Sequence, residues 1–373
     1  MSSLPVFVGL DYHQNVIQVC VMDQNRKILA NQSVPNNPGA VFQVVGACGS
    51  HVRVAIEAST GVANFAEMLI TRYQWHVELA HPGYVARMKQ TPDKSDWTDA
   101  KLLADLTRAG YIPRVWLAPQ YIRDLRELVR HRHGLVEQRK QAKLRLRALL
   151  RNHRIVCPRT PWTIKGKQWL LDAENISSPH VLFLLQDHYD TIEYFDKKIN
   201  VVENKMWVEV ADDPVVKQLR CQAGIGPITA VTMRAIIGHF DRFRTGKQLA
   251  HFCAVCPRNH SSAGKTTTGG LIKAGDDLLR QVLVEAAHRL VRYDTHWRTM
   301  ADRLRANGKK TCVIVAAVAN RWIRKLFHRM REPMLLSEAT SGFSRHEQKS
   351  IVSLPSSVAP QQSRRPLRGT KKT

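Results

Sequence analysis

Residues 6–23 read VFVGLDYHQNVIQVCVMD, and the fold turns on how this stretch is taken. β-Branched residues crowd both ends while His13, Gln14 and Asn15 interrupt them, which predicts a strand, a turn and a second strand. KILANQSVP (27–35) continues as a third. HVRVAIEAS (51–59) and WHVELAHP (75–82) predict two more strands, and GVANFAEMLITRY (61–73) between them has helical period. Strands come first, then strand alternates with helix, so an α/β domain on a mixed sheet is expected.

That reading places acidic residues. The first strand carries Asp11 near its end, and HVRVAIEAS carries Glu57 near its own. Were the two strands neighbours, both carboxylates would emerge at the sheet edge where open α/β sheets build their sites. KSDWTDAKLLADL (94–106) adds Asp96 and Asp99, three residues apart and so on one helix face. Four carboxylates at close range repel, and a divalent cation is their natural counter-charge. Hard oxygen donors suit Mg²⁺, and two such ions about 4 Å apart would clamp the attacking and leaving oxygens of a phosphodiester. Each acid also has a plain reading. Asp96 suits a helix N-cap, Asp11 a turn and Glu57 a charged strand end, while Asp93 and Asp105 are taken as turn and solvated helix residues. Spacing alone leaves the two readings level.

Composition points to the partner. Among 373 residues, 56 Lys and Arg oppose 31 Asp and Glu, a formal net charge of +25. A compact fold with that excess repels itself unless a polyanion shares it, and nucleic acid is the usual one. The longest apolar run, VIVAAVA near residue 315, is too short to cross a bilayer. MSSLPVFVGL lacks the basic start and cleavage site of a secretory signal, so a cytoplasmic protein is expected. Seven scattered cysteines fit reduced thiols, and Cys253 and Cys256 with no second pair are read as core thiols rather than zinc ligands.

From Pro119 the texture changes. QYIRDLRELVRHRHGLVEQRKQAKLRLRALLRNHR carries eleven Lys or Arg against three acids, with apolar residues every three or four. This predicts a long basic helix pairing with another over about 180–210, with Arg139, Lys140, Lys143 and Arg147 as phosphate contacts. A third section opens at AGIGPITA (223–230), where Gly224 and Gly226 would let the backbone approach phosphate ahead of a helix N-terminus. A glycine turn between packed helices reads as well.

CPRNHSSAGKTTTGGLIKAGDDLLRQVL (256–283) is expected to be a small-residue loop before a helix starting at 275–277. Lys265 and Lys273 with the loop amides would suit a DNA phosphate. It is not a nucleotide-binding loop, because Asn259 stands where that motif requires its first glycine. By composition Ser261 and Ser262 are ordinary turn serines. The expected division is therefore 1–118, an α/β domain; 119–212, a basic helical, coiled-coil section; 213–332, a mostly helical domain; and 333–373, a disordered basic tail.

GLDYHQNVIQVCVMD, VAIEAST, KSDWTDAKLLADL, AGIGPITA and HSSAGKTTTGGLIKAGDDLLR, spread over roughly residues 5 to 330, resemble the DEDD transposases of bacterial insertion sequences. The resemblance implies an RNase H-like, RuvC-like first domain whose metal-binding acids are Asp11, Glu57, Asp96 and Asp99. It implies a helix-hairpin-helix turn at Gly224 and Gly226, and a serine nucleophile at Ser262, with Ser261 its nearest rival. Ala263 stands where the family commonly has glycine. The implied activity is transposition by Mg²⁺-dependent cutting and rejoining of donor and target DNA, with serine and acids meeting in a composite site. A noncoding bridge RNA and assembly as dimers or tetramers are implied as well. The rivals are a Holliday-junction-resolving metal nuclease, with the serine idle, and a noncatalytic nucleic-acid-binding protein.

Overall fold

The computed structural model describes residues 5–89, 95–262 and 265–331. The chain divides into two compact units, Met1–Gln120 and Tyr121–Thr373. Asp93 and the segment 333–373 lie outside the described residues.

The first unit runs β1 (Pro5–Tyr12), β2 (Val16–Met22), β3 (Ile28–Pro35), α1 (Pro38–Gly46), β4 (His51–Glu57), α2 (Val62–Tyr73), β5 (His76–Ala80), α3 (Pro82–Met88), α4 (Asp96–Arg108) and β6 (Arg114–Val115). One sheet holds all six strands in the order β3-β2-β1-β4-β5-β6. β1, β4 and β5 are parallel, whereas β2, β3 and β6 run antiparallel to their neighbours. The five long strands and the helix at 62–73 fall where periodicity puts them. α1, α3 and the two-residue β6 carry too weak a pattern to be read from sequence.

Alternation along β1 and β4 sorts their side chains. Val6, Val8, Leu10, Val52, Val54 and Ile56 enter one core, capped by α1 and α2 through Val41, Phe65 and Leu69. The other face carries Gly9 and Ala55, and α4 lies on it. A Cβ on Gly9 would come within 2.0 Å of the Ala100 carbonyl oxygen and 2.5 Å of the Ala104 nitrogen. The α4 backbone therefore rests directly on β1, an approach only glycine on the strand and alanines on the helix permit.

The second unit contains α5 (Gln120–Asn152), α6 (Ile164–Leu170), α7 (Pro179–Val210), α8 (Pro214–Arg220), α9 (Pro227–Ile237), α10 (Gly246–Phe252), a hairpin of β7 (Pro257–Ser262) and β8 (Lys265–Leu271), then α11 (Asp277–Tyr293), α12 (Thr295–Ala306) and α13 (Thr311–Arg329). α5 and α7 pack antiparallel. Leu146 and Leu150 share a core with Val181 and Leu185, and Arg132 pairs with Glu203 while Arg139 pairs with Asp196. A larger core joins the first turns of α5 to α9, α11 and α13. Within it Arg234, 4% exposed, donates to Asp213 at 2.6 Å, to the Gly238 carbonyl at 2.7 Å and to the Tyr121 hydroxyl at 3.1 Å. A buried guanidinium so fully partnered fixes α8, α9 and α5 together, since losing one partner strands a charge. All seven cysteines are free thiols, and Cys253 is fully buried with its thiol pushed well up by burial. Among the described residues no helix is long and apolar enough to cross a membrane.

Two glycines give opposite expectations. Gly9→Ala forces Cβ into the α4 backbone and should cost roughly 3 kcal/mol of unfolding free energy. Gly134→Ala, inside α5 with nothing within 4 Å of the added carbon, should stabilise by about 0.5–1 kcal/mol. Urea denaturation of the two variants beside the parent measures both signs.

Candidate active site

The parallel register puts Asp11 and Glu57 side by side. Leu10 is opposite Ile56, and each acid follows directly at the C-terminal end of its strand. Both continue the alternation of Gly9 and Ala55, so both lie on the α4 face of the sheet. α4 begins above them with Asp96 and Asp99 in its first turn, where the helix dipole favours negative charge. The capping question has a clear answer. Ser95 is the N-cap, its hydroxyl accepting from the Thr98 N–H at 3.2 Å, so Asp96 is not spent on capping.

The side chains meet in part. His13 Nε2 lies 3.2 Å from Asp11 Oδ2 and 3.5 Å from Asp96 Oδ1. One donor atom from each of Asp11, His13 and Asp96 falls within 4.8 Å of the others, as one cation would require. Asp99, 13% exposed, instead accepts from Lys89 Nζ at 2.7 Å. Glu57 is half-buried at the same edge and stands outside the three-residue group. Burial pushes the Asp11 carboxyl above its ordinary value. His13 opposes that shift, while Asp96 and Asp99 add to it by repulsion. The donor set fits a divalent ion, since carboxylate oxygens suit Mg²⁺ and Mn²⁺ and the imidazole is better tolerated by the latter.

His13 and Lys89 are the residues that sequence reasoning missed. His13 had a signal: it stands two residues beyond Asp11, which along an extended chain is the same side. Lys89 had none, because its pairing with Asp99 is made by the packing of α3 and α4. Asp105, taken as solvated, is three-quarters buried between Arg26 at 2.7 Å and Arg108 at 2.8 Å.

In the second unit Ser261 and Ser262 stand on strand β7, not in the expected loop. Ser262 is opposite Lys265 and Ser261 opposite Thr266 in the ladder. The strand-forming run of threonines at 266–268 supplies the partner strand. Ala263 and Gly264 lie outside the described residues. Lys273 is exposed beyond β8, and α11 opens with Asp276 as its N-cap, as expected. Gly224 takes φ +82°, and its Cβ would meet Leu290 at 2.8 Å, while Gly226 caps α9 ahead of Pro227. The α5 cations are largely engaged within the chain. Arg139 pairs with Asp196, Lys140 with Glu137, and Lys143 and Arg147 sit 5.1 and 5.4 Å from the Trp162 ring.

With the folded-state value of Asp11 raised, its favourable contribution is present below the unfolded pKa and lost as pH rises through the folded one. At neutral pH in chelator Asp11→Asn should therefore melt above the parent. Adding Mg²⁺ or Mn²⁺ should raise the parent's melting temperature, by about 2.7 kcal/mol of stability at a hundredfold excess over Kd, and leave the variant unmoved. Differential scanning calorimetry reads both arms.

Comparison with known proteins converges on one family. A transposase model, DEDD_Tnp_IS110, matches residues 8–155, and a second, described as the transposase IS116/IS110/IS902 family, matches residues 216–302. The chain is 25% identical over 322 residues to the transposase for insertion sequence element IS1328 of Yersinia enterocolitica, covering 85% of this chain and 94% of that protein. It is 26% identical to a probable family 20 transposase of Pseudomonas aeruginosa, covering 76% and 84% of the two chains. It is 23% identical to the transposase for IS1111A of Coxiella burnetii, covering 77% and 78%. The two models take in the acidic sheet edge and the glycine turn and serine hairpin, and together more than half of the sequence: the chain belongs to the IS110/IS116/IS902 family of insertion-sequence transposases.

Proposed function

We propose that the chain cuts and rejoins DNA with a metal-binding acidic site and a serine nucleophile. The observation carrying this is the meeting of Asp11, His13 and Asp96 at the C-terminal edge of the parallel strands, with Glu57 and Asp99 on the same face. The strand order, with β2 antiparallel between β3 and β1, supports an RNase H-like domain over 1–118. A bound Mg²⁺ or related ion would polarise a phosphoryl oxygen and stabilise charge in the transition state.

Asp11 and Asp96 would hold the ion, and Glu57 would complete the oxygen set from the neighbouring strand. Asp99 would join them on releasing Lys89, which would free that ammonium to meet a phosphate. His13 Nε2, which lies between Asp11 and Asp96, would give up that contact to serve as a nitrogen donor to the ion. Ser262 supplies the hydroxyl. Its Oγ gives up its proton and bonds to phosphorus as one P–O bond of the strand breaks, and the departing oxygen takes up a proton in balance. A new strand end reverses the step, releasing serine and forming the rejoined phosphodiester. Gly224, Gly226, Lys265 and Lys273 position the backbone, in a serine-bearing domain over 213–332. The basic helical section, 119–212, and the basic tail, 333–373, hold nucleic acid nonspecifically. Guidance by a bridge RNA and action as a dimer or tetramer belong to the same reading, and the +25 charge suits RNA as it suits DNA.

Incubation with Mg²⁺ and an end-labelled duplex carrying the element junction tests both groups. Asp11→Asn should lower cutting at least 10²-fold. Ser262→Ala should abolish the covalent protein–DNA adduct seen on a denaturing gel, together with strand exchange. Cutting that survives Ser262→Ala would indicate a water nucleophile and a resolvase-like enzyme, and activity indifferent to both changes a binding protein.

A further inference from the structure

We propose that the second unit carries a continuous track for the sugar-phosphate backbone of duplex DNA, running from the glycine turn to a basic groove between α10 and α13. The inference rests on DNA being the substrate, as proposed above, and on neither catalytic group.

The groove encloses about 700 Å³ between residues 244–247 and α13. Arg244, Lys247, Arg321, Arg324, Lys325 and Arg331 line it, with no carboxylate among the lining residues. Arg321, Lys325 and Arg329 recur every four residues along α13, which makes one exposed row. A Cβ on Gly246 would come within 2.9 Å of the Arg324 carbonyl oxygen. Backbone packing therefore fixes the separation of the two cationic walls.

The groove continues into three further hollows. It shares Arg321 and Lys325 with one of about 460 Å³ that reaches Arg303 and His296. His296, Trp297 and Lys325 in turn border a third, which extends to Ala223 and Asp294. Those last two residues also border the hollow of about 380 Å³ at Gly224, Gly226 and Arg289. Asp294 is the one carboxylate lining these four hollows, and it is occupied in accepting from the Trp297 N–H as the cap of α12. Arg331, at the far end, also reaches the exposed Asp241 at 3.2 Å, a pair that water screens.

A row of cations this long with one acid spent on capping is complementary to an extended polyanion rather than to a single anion. The wall chemistry favours a duplex over a single strand. Single strands are held on successive open aromatic faces, whereas Trp297, Trp322 and Phe327 are at most 6% exposed and Tyr293 at the turn is the one open phenol. A duplex approached from outside presents phosphate, and Arg and Lys rows are what bind it.

The test is binding of the full chain to a short labelled duplex of arbitrary sequence, by fluorescence anisotropy across a salt series. The buffer contains chelator, so a failure of metal-dependent cutting does not affect the result. The triple variant Lys247→Gln, Arg321→Gln, Lys325→Gln is compared with the charge-matched triple Lys27→Gln, Arg72→Gln, Lys309→Gln, all three exposed and outside the segments assigned to nucleic acid. The track triple should weaken binding at least tenfold and reduce the slope of log K against log salt by about 2.7, at roughly 0.9 per phosphate contact. The control triple should stay within about threefold of the parent. Equal losses in both triples, no loss in the track triple, or a loss confined to an RNA duplex of the same sequence overturns the proposal. If the track triple melts early, Lys247→Gln with Lys325→Gln, both exposed, makes the same comparison against Lys27→Gln with Lys309→Gln.

Discussion

The first unit depends on the contact of α4 with β1 at Gly9. The helix backbone occupies the space a side chain would need, so α4 sits closer to the sheet than an ordinary helix layer. That depth brings the first turn of α4 down to the strand ends. Asp96 then meets His13 across the gap, and Asp11 feels the charge of both helix acids. With any larger residue at position 9, α4 would ride higher and its acids would point over the site instead of into it.

The negative charge gathered there is balanced locally. Lys89 holds Asp99, His13 lies between Asp11 and Asp96, and the α4 N-terminus adds its partial positive charge. Lys89 and Asp99 are both partly accessible, and His13 is exposed. Bringing the acids together still raises the Asp11 carboxyl, and these groups offset only part of that cost.

In the second unit, charge count and available charge differ. The cations of α5 dominate the sequence, yet Arg132 and Arg139 are tied to α7 and Lys143 and Arg147 lie against Trp162. They serve the helix pair first. The exposed rows on α13 and at 244–247, less conspicuous in sequence because they alternate with buried Trp322, Ile323 and Leu326, border the open groove instead. A helix that packs on one face and exposes cations on the other separates those roles by period alone.

The sequence by itself determined the elements whose patterns are local. β-Branched runs became β1 to β5, the DYH and IEA stretches put Asp11 and Glu57 near the ends of their own strands, and leucine spacing gave the two long helices. Those readings need only neighbours within a few residues. Tertiary packing decided the rest. That Asp99 is held by Lys89, that His13 belongs with Asp11 and Asp96, that Asp105 is paired, and that the serines stand in a hairpin all depend on residues distant in the chain, or on a strand partner that no single segment specifies. Side-chain partnership depends on distance in space, which a linear pattern does not encode.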